Sequence, residues 1–246
     1  DHAAAQGAHI ICIGLGAGSS DAAVRNAILS AYHQGIVVVA PNGNDFATVN
    51  RFPASMDEVI SVAGLFEDNM LTFSTNLAPN TTILAPAYGS TFIPGGQPIK
   101  DGYSTSLAAA HIAGAAARVL SANPELSVEQ IKQVLVSSGD FPPEEFLSDL
   151  YGLRVVNIEK AIDYASSQRL DAALASLEVN TLSPLPGQNI KVEIEVLNVG
   201  NQALSDGQII LYKNGAQVSS QSLGKLSSGQ RQTFETTVST SMSDSD

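Results

Sequence analysis

The stretch of sequence that decides the fold runs from Tyr103 to Gly114 and reads YSTSLAAAHIAG. A short polar loop passes there directly into a long run of small, apolar residues, with Ser106 at the junction. Small residues on every face of a helix indicate packing on all sides, so we expect Ser106 at the start of a buried helix. The first N–H groups of a helix lack intrahelical partners and lie at the positive end of its dipole. A nucleophilic serine needs such fixed donors, because they stabilise the oxyanion that forms on attack.

The composition is that of a folded, acidic protein. Of the 246 residues, 44% are hydrophobic and 15% are charged, and the net charge is −12 at pH 7. Lys and Arg form no cluster, so we expect neither a nucleic-acid partner nor binding to anionic membranes. No apolar run is long enough to span a bilayer, and no signal peptide is visible. Because the chain opens on Asp1 rather than Met, we expect it to begin within a domain.

Helical and strand patterns alternate in the first part of the chain, up to about residue 165, which predicts a largely parallel α/β sheet. The single cysteine, Cys12, lies in an apolar run and is expected to be a buried core residue without a disulfide partner. The capping-box sequence Ser127-Val128-Glu129-Gln130 predicts the start of a second helix after the one near Ser106. The other predicted elements are strands at 10–13, 36–40, 58–63 and 82–85 and a helix at 21–33 that Gly35 ends.

The last part of the chain follows a different pattern, with apolar residues alternating from Ile190 to Val196. Further strands are predicted at 209–212, 217–218 and 233–238, with a tight hairpin turn at Asn214-Gly215. Residues 241–246 hold almost no core-forming side chains and should be a loose end. We therefore predict an α/β domain over residues 1–168 and an all-β, immunoglobulin-like sandwich over residues 169–246.

The loop Pro41-Asn42-Gly43-Asn44-Asp45 is a candidate half of a catalytic site, because it directly follows a predicted buried strand. Ligands of parallel α/β sheets bind beyond the carboxyl ends of the strands, where this loop lies. The amide of Asn44 would be suited to donate a hydrogen bond to an oxyanion.

The stretch around Ser106 and the loop around Asn44 both resemble motifs of the subtilisin-like serine peptidases. Residues 104–114 resemble the family motif Gly-Thr-Ser-Met-Ala-x-Pro-His-Val-Ala-Gly, with departures at Ser104 (Gly in the family) and Ala110 (Pro in the family). Residues 41–44 resemble Ala-Ala-Gly-Asn. The resemblance implies that Ser106 is the nucleophile and that Asn44 and the Ser106 N–H hold the oxyanion.

The resemblance extends in order along residues 9–165. Residues 11–16 resemble a strand ending in Ser-Leu-Gly-Gly, which implies that Gly14, Leu15 and Gly16, with Gly43, contact the substrate. Phe52-Pro53-Ala54 resembles a turn whose peptide bond before proline is typically cis, and residues 151–157 resemble the closing segment Tyr-Gly-x-Gly-x-Val-Asn. The implied fold is a subtilisin-like parallel sheet with helices on both faces, incomplete at its N-terminus.

The family's catalytic aspartate (in Asp-Ser/Thr-Gly) and histidine (in His-Gly-Thr-His) belong before the strand at Ile10, and neither motif occurs in the chain. Of the four histidines, His111 lies five residues beyond Ser106, about 140° around the helix, and so points away from the hydroxyl. It matches a structural histidine of the family. We therefore expect the isolated chain to have negligible peptidase activity.

The second segment resembles the cell-adhesion-related (CARDB) sandwich domains of secreted proteins at Pro186-Gly187, at residues 198–201 and from Leu223 to Gly229. This resemblance implies an extracellular or cell-surface location and leaves the ligand of the sandwich open. The peptidase resemblance requires no cofactor. It allows structural calcium, although no ligand spacing identifies a metal site.

Three functions are compatible with a serine at this position. The first is a serine endopeptidase that cleaves polypeptides through an acyl-enzyme on Ser106. The second is a non-catalytic pseudopeptidase that serves as a binding or adhesion module, which Ser104 in place of glycine favours. The third is an α/β-hydrolase esterase, which the sequence disfavours because the chain contains no Gly-x-Ser-x-Gly motif.

Overall fold

The computed structural model describes residues 1–92, 98–167, 172–180, 187–198, 200, 202–213 and 216–239. The chain divides into two compact units, residues 1–167 and residues 168–246. Within the described ranges, no helix combines the length and the apolar character that crossing a membrane requires.

The first unit contains helices and strands in alternation. Its described helices are α1 (His2–Ala5), α2 (Ala22–His33), α3 (Thr105–Ala122), α4 (Val128–Ser137), α5 (Glu145–Asp149) and α6 (Ile158–Ser166). Its described strands are β1 (Ile10–Cys12), β2 (Val37–Pro41), β3 (Val59–Leu65), β4 (Ile83–Pro86), β5 (Tyr88–Phe92) and β6 (Pro98–Tyr103).

Strands β1 to β4 form a parallel sheet in the order β1-β2-β3-β4, with helices on both faces as the resemblance implied. Val37 and Val39 face one side and pack with α3, α4 and α6, whereas Val38 and Ala40 face the other and pack with α2. All residues of β2 and β3 are buried, because side chains from both faces are covered.

The predicted helix boundaries are set by local capping. Asp21 caps α2 by accepting a hydrogen bond from the Val24 N–H at 3.0 Å, and Gly35 follows the helix at φ 78°. The capping box of α4 is formed by Ser127 and Gln130. The predicted end of α2 before Gly35 and the predicted capping box of α4 are therefore confirmed. Both features depend only on residues that are close together in the chain.

Two predictions about burial are wrong. Cys12 is exposed, because β1 is an edge strand of the described sheet and pairs there with β2 alone. Helix α3 is not packed on all sides. Its buried face rests on the sheet, and the opposite face is exposed at Ala110, His111, Gly114, Ala117 and Arg118.

An antiparallel hairpin of β5 and β6 leads into α3 and was not predicted. Tyr88 pairs with Tyr103, and the Ser104 N–H then donates to the Ala87 carbonyl at 2.8 Å. This bond fixes the backbone of Ser104, the N-cap residue of α3, against the end of β4.

The second unit is an antiparallel β structure. Its described strands are β7 (Ala172–Val179), β8 (Asn189–Asn198), β9 (Gly207–Lys213), β10 (Ala216–Leu223) and β11 (Arg231–Ser239). Sheets β11-β8-β7 and β10-β9 share one core, which includes Ile194, Leu223 and Phe234 and confirms the predicted sandwich. Strand β7 was not predicted. The predicted Asn214-Gly215 turn and loose end at 241–246 lie outside the described residues.

Candidate active site

The site lies where β2 ends and α3 begins. Asn44 is in the loop that follows β2, and Ser106 is the second residue of α3. Both border a cavity of about 350 Å³ at the carboxyl end of the sheet, together with Gly16, Pro41, Gly43, Asp45, Arg51 and Thr105. The structure thus brings together four of the six site residues that the sequence predicts: Gly16, Gly43, Asn44 and Ser106.

The Ser106 side chain is held by the loop after β1. Its hydroxyl donates to the Gly14 carbonyl at 3.0 Å, which places a fifth predicted residue at the site. The hydroxyl therefore binds a backbone oxygen in this structure and not a histidine. The Ser106 N–H donates to the Ser104 Oγ at 3.2 Å.

The Asn44 amide has a fixed orientation. Its Oδ1 accepts hydrogen bonds from the Thr105 N–H and from the Thr105 hydroxyl, each at 3.0 Å. A flipped amide would turn its NH2 group towards the Thr105 N–H, so these bonds determine which way the nitrogen points. Asn44 Nδ2 donates to the Ser104 Oγ at 3.4 Å. The two proposed oxyanion donors therefore converge on one hydroxyl oxygen.

A buried asparagine, Asn76, holds the loop that carries Asn44. Its Oδ1 accepts from the Asp45 and Ala47 N–H groups at 2.9 and 3.0 Å, and its Nδ2 donates to the Asn42 and Val49 carbonyls at 3.1 and 3.0 Å. Sequence reasoning missed Asn76, since Ser-Thr-Asn in a loop looks like a solvated turn. Only the folded structure shows that Asn76 supports the loop that carries Asn44.

Arg51 lies beside the cavity, and its side chain leaves no room for a larger residue at Gly16 or Gly43. A Cβ at Gly16 would lie 2.9 Å from the Arg51 Cβ, and one at Gly43 would lie 2.7 Å from the Arg51 Cγ and would also clash with Asn76 Nδ2. Gly43 also has φ 119°, a value that favours glycine. Sequence reasoning missed Arg51 as well.

The charge at the cavity rim is paired. The Arg51 guanidinium donates to Asp45 at 2.7 Å, and this hydrogen bond lowers the pKa of the Asp45 carboxyl. The aspartate is therefore ionised at neutral pH, and its charge is offset by the arginine.

The loop from Gly14 to Gly18 is pinned to the segment before the cis peptide bond. Ala17 and Phe52 exchange backbone hydrogen bonds at 2.8 and 3.0 Å. The Phe52–Pro53 bond is cis, as the resemblance implied. Leu15, the sixth predicted site residue, is 77% exposed beside this loop and does not border the cavity.

None of the four histidines borders the cavity. His111 Nδ1 donates to the Leu107 carbonyl one turn back, at 3.1 Å, and its side chain is exposed. His2, His9 and His33 are exposed as well. Among the described residues, no group of three or more His, Cys, Asp or Glu side chains is arranged to hold a metal ion. Structural calcium thus stays a prediction without a site.

Family models divide the chain within five residues of the boundary between its two compact units. Residues 1–171 match the model of the subtilase family, which is more than half of the chain. This chain belongs to the subtilase family. Residues 173–246 match the CARDB model, so the subtilase unit is followed by a CARDB unit.

Individual subtilases are similar to the first unit. Subtilisin DY of Bacillus licheniformis is 32% identical over 161 residues, covering 63% of this chain and 57% of that protein. Subtilisin BL of Lederbergia lenta is 30% identical over 155 residues, covering 63% and 56%. The prenylagaramide maturation protease PagA is similar in structure, with TM-score 0.59, 25% identity and coverage of 67% and 64%. The chain thus spans little more than half the length of these two subtilisins.

Proposed function

We propose that this chain is the part of a serine endopeptidase that carries its nucleophile and its oxyanion donors. The observation that carries the proposal is the arrangement of Ser106 and Asn44 around one cavity at the carboxyl end of a parallel sheet. A nucleophile, a side-chain amide and a helix N-terminus are the groups that acyl transfer needs beside its base. The membership of the subtilase family supports the same reaction.

In the proposed reaction, the Ser106 hydroxyl leaves the Gly14 carbonyl and gives its proton to a histidine base. The Ser106 oxygen bonds to the scissile carbonyl carbon, whose oxygen becomes an anion held by Asn44 Nδ2 and the Ser106 N–H. The intermediate expels the amine, which takes the proton from the base. Water then hydrolyses the acyl-enzyme and restores the serine.

We propose that the substrate is a polypeptide whose backbone contacts Gly14, Leu15, Gly16 and Gly43. Three of these residues border or bond the Ser106 site, and Leu15 is exposed next to them. The reaction takes its nucleophile and donors from the chain itself, so it requires no cofactor, and any calcium would be structural. The CARDB unit and the subtilase relatives favour an extracellular or cell-surface location.

The base and its orienting acid must come from outside these 246 residues. We therefore expect negligible peptidase activity from the isolated chain, because loss of the base costs such enzymes several orders of magnitude in rate.

The test is to sequence the reading frame upstream of Asp1 and to treat the encoded protein with a fluorophosphonate. Asp-Ser/Thr-Gly and His-Gly-Thr-His motifs upstream, with labelling that Ser106→Ala abolishes, would support the peptidase. A frame without these motifs and a protein that is not labelled would refute it. Cleavage of casein by chain 1–246 at normal enzyme rates would refute the expected inactivity.

A pseudopeptidase that acts as a surface-binding module is the second candidate. One observation favours it: the Ser104 hydroxyl oxygen lies where both oxyanion donors point. This candidate retains the fold and the CARDB unit but expects no fluorophosphonate labelling even when a histidine is supplied upstream.

A further inference from the structure

The Ser104 side chain takes part in both hydrogen bonds that the proposed reaction needs for its oxyanion. Its Oγ accepts from the Ser106 N–H at 3.2 Å and from Asn44 Nδ2 at 3.4 Å. A hydroxyl oxygen has two lone pairs and can accept both bonds at once. An uncharged oxygen of the protein thus lies where the negatively charged oxygen of the intermediate would bind.

The backbone of Ser104 is held in place by a hydrogen bond to the residue that follows β4. Its backbone N–H is bound to the Ala87 carbonyl at 2.8 Å, and its backbone is extended at φ −158° and ψ 139°. Any residue adopts this conformation, so nothing in the backbone requires glycine here. Rotation about χ1 would withdraw the oxygen from both donors without moving α3.

The two bonds are weak enough to be exchanged. Oxyanion donors lie about 2.7–3.1 Å from the anion that they stabilise. Both bonds to Ser104 are longer than this range and involve a neutral acceptor. An oxyanion accepts stronger, charge-assisted hydrogen bonds from the same donors.

We propose that the Ser104 hydroxyl is an internal occupant of the oxyanion position, which a substrate oxygen must displace before Asn44 and the Ser106 N–H can act. The inference rests on the proposed function for its consequence in catalysis. The hydrogen bond from the Ser106 N–H to the Ser104 Oγ does not depend on the proposed function. Ser104 thereby lowers the affinity of the site for any carbonyl or carboxylate oxygen.

The first experiment measures hydrogen exchange of the Ser106 N–H by NMR in chain 1–246 and three variants. Ser104→Gly and Ser104→Ala remove the acceptor, so the amide should exchange about tenfold faster or more. Ser104→Thr keeps a hydroxyl and should preserve the wild-type rate. Glycine is tolerated at an N-cap nearly as well as serine, so the helix remains intact. Equal exchange in all four proteins would overturn the proposal.

The second experiment measures binding of the peptide acid acetyl-Ala-Ala-Pro-Phe and of its C-terminal amide by the same four proteins. A carboxylate oxygen in the open site gains two donors, so Ser104→Gly should bind the acid about tenfold more tightly and the amide less so. Unchanged affinity for the acid would overturn the proposal. If none of the four proteins binds either peptide, the proposed peptide-binding site is wrong. The exchange rates of the Ser106 N–H alone then test whether Ser104 occupies the oxyanion position.

Discussion

Replacing Asn76 by alanine should loosen the loop that presents Asn44. The side chain is fully buried and makes four hydrogen bonds of 2.9–3.1 Å, two to N–H groups and two to carbonyls. Each contributes about 1 kcal/mol net, and water can replace part of this where the loop is only partly buried. We therefore expect Asn76→Ala to lower the free energy of unfolding by about 3 kcal/mol.

The assay is urea unfolding followed by circular dichroism at 222 nm, since the described helices all lie within residues 1–167. Asn26→Ala is the matched control, because Asn26 is exposed on α2 and should change the stability by less than about 0.5 kcal/mol. Amide exchange at Asp45 and Ala47 locates the effect. A loss within about 1 kcal/mol of the control, or unchanged exchange at both amides, would refute the reasoning.

Three further predictions concern Gly43, the pair of Arg51 and Asp45, and Cys12. Gly43→Ala should lower the free energy of unfolding by at least about 2 kcal/mol in the same assay. Gly35→Ala is the control, because the space around Gly35 is open, and it should cost about 1 kcal/mol. Equal effects of the two substitutions would contradict the close contacts described at Gly43. Arg51→Gln should raise the Asp45 pKa towards its usual range in a carboxyl NMR titration, because the hydrogen bond that lowers it is lost. In the wild type, the stabilisation from this pair is complete above the usual aspartate pKa and is lost as the pH falls through the lowered value. Cys12 should react with a disulfide reagent in the folded chain, though more slowly than free cysteine at pH 8, because partial burial raises its pKa; complete protection would show that the strand edge is covered.

The parts of the fold that the sequence predicts well are those fixed by neighbours in the chain. The extent of α2, which ends before Gly35, the capping box at Ser127 and the buried run of β2 depend on residues a few positions apart. The period-two pattern of β8 is equally local, and it correctly predicts a half-buried strand. The resemblance to the family, whose motifs occur in the same order along this chain, also predicts the parallel sheet and the cis peptide bond before Pro53.

The failures concern burial, which depends on partners far away in the sequence. The apolar run around Cys12 looks like a core strand, yet its outer edge has no neighbour among the described strands. The small residues of α3 predict close packing, but a helix with Ala and Gly on one face can also leave that face exposed. Asn76 shows the reverse case, since a polar loop residue is buried by the loop it supports.

Ser104 shows how far a motif can be interpreted without coordinates. The sequence identifies the position as a departure from the family glycine that favours a pseudopeptidase. The structure shows a specific set of hydrogen bonds at this position: Ser104 Oγ accepts from both donors, while the Ser106 hydroxyl donates to the Gly14 carbonyl. The Ser106 hydroxyl, the Ser106 N–H and the Asn44 amide nitrogen therefore each donate a hydrogen bond within the chain. In the proposed reaction, substrate binding must exchange these internal bonds for bonds to the substrate.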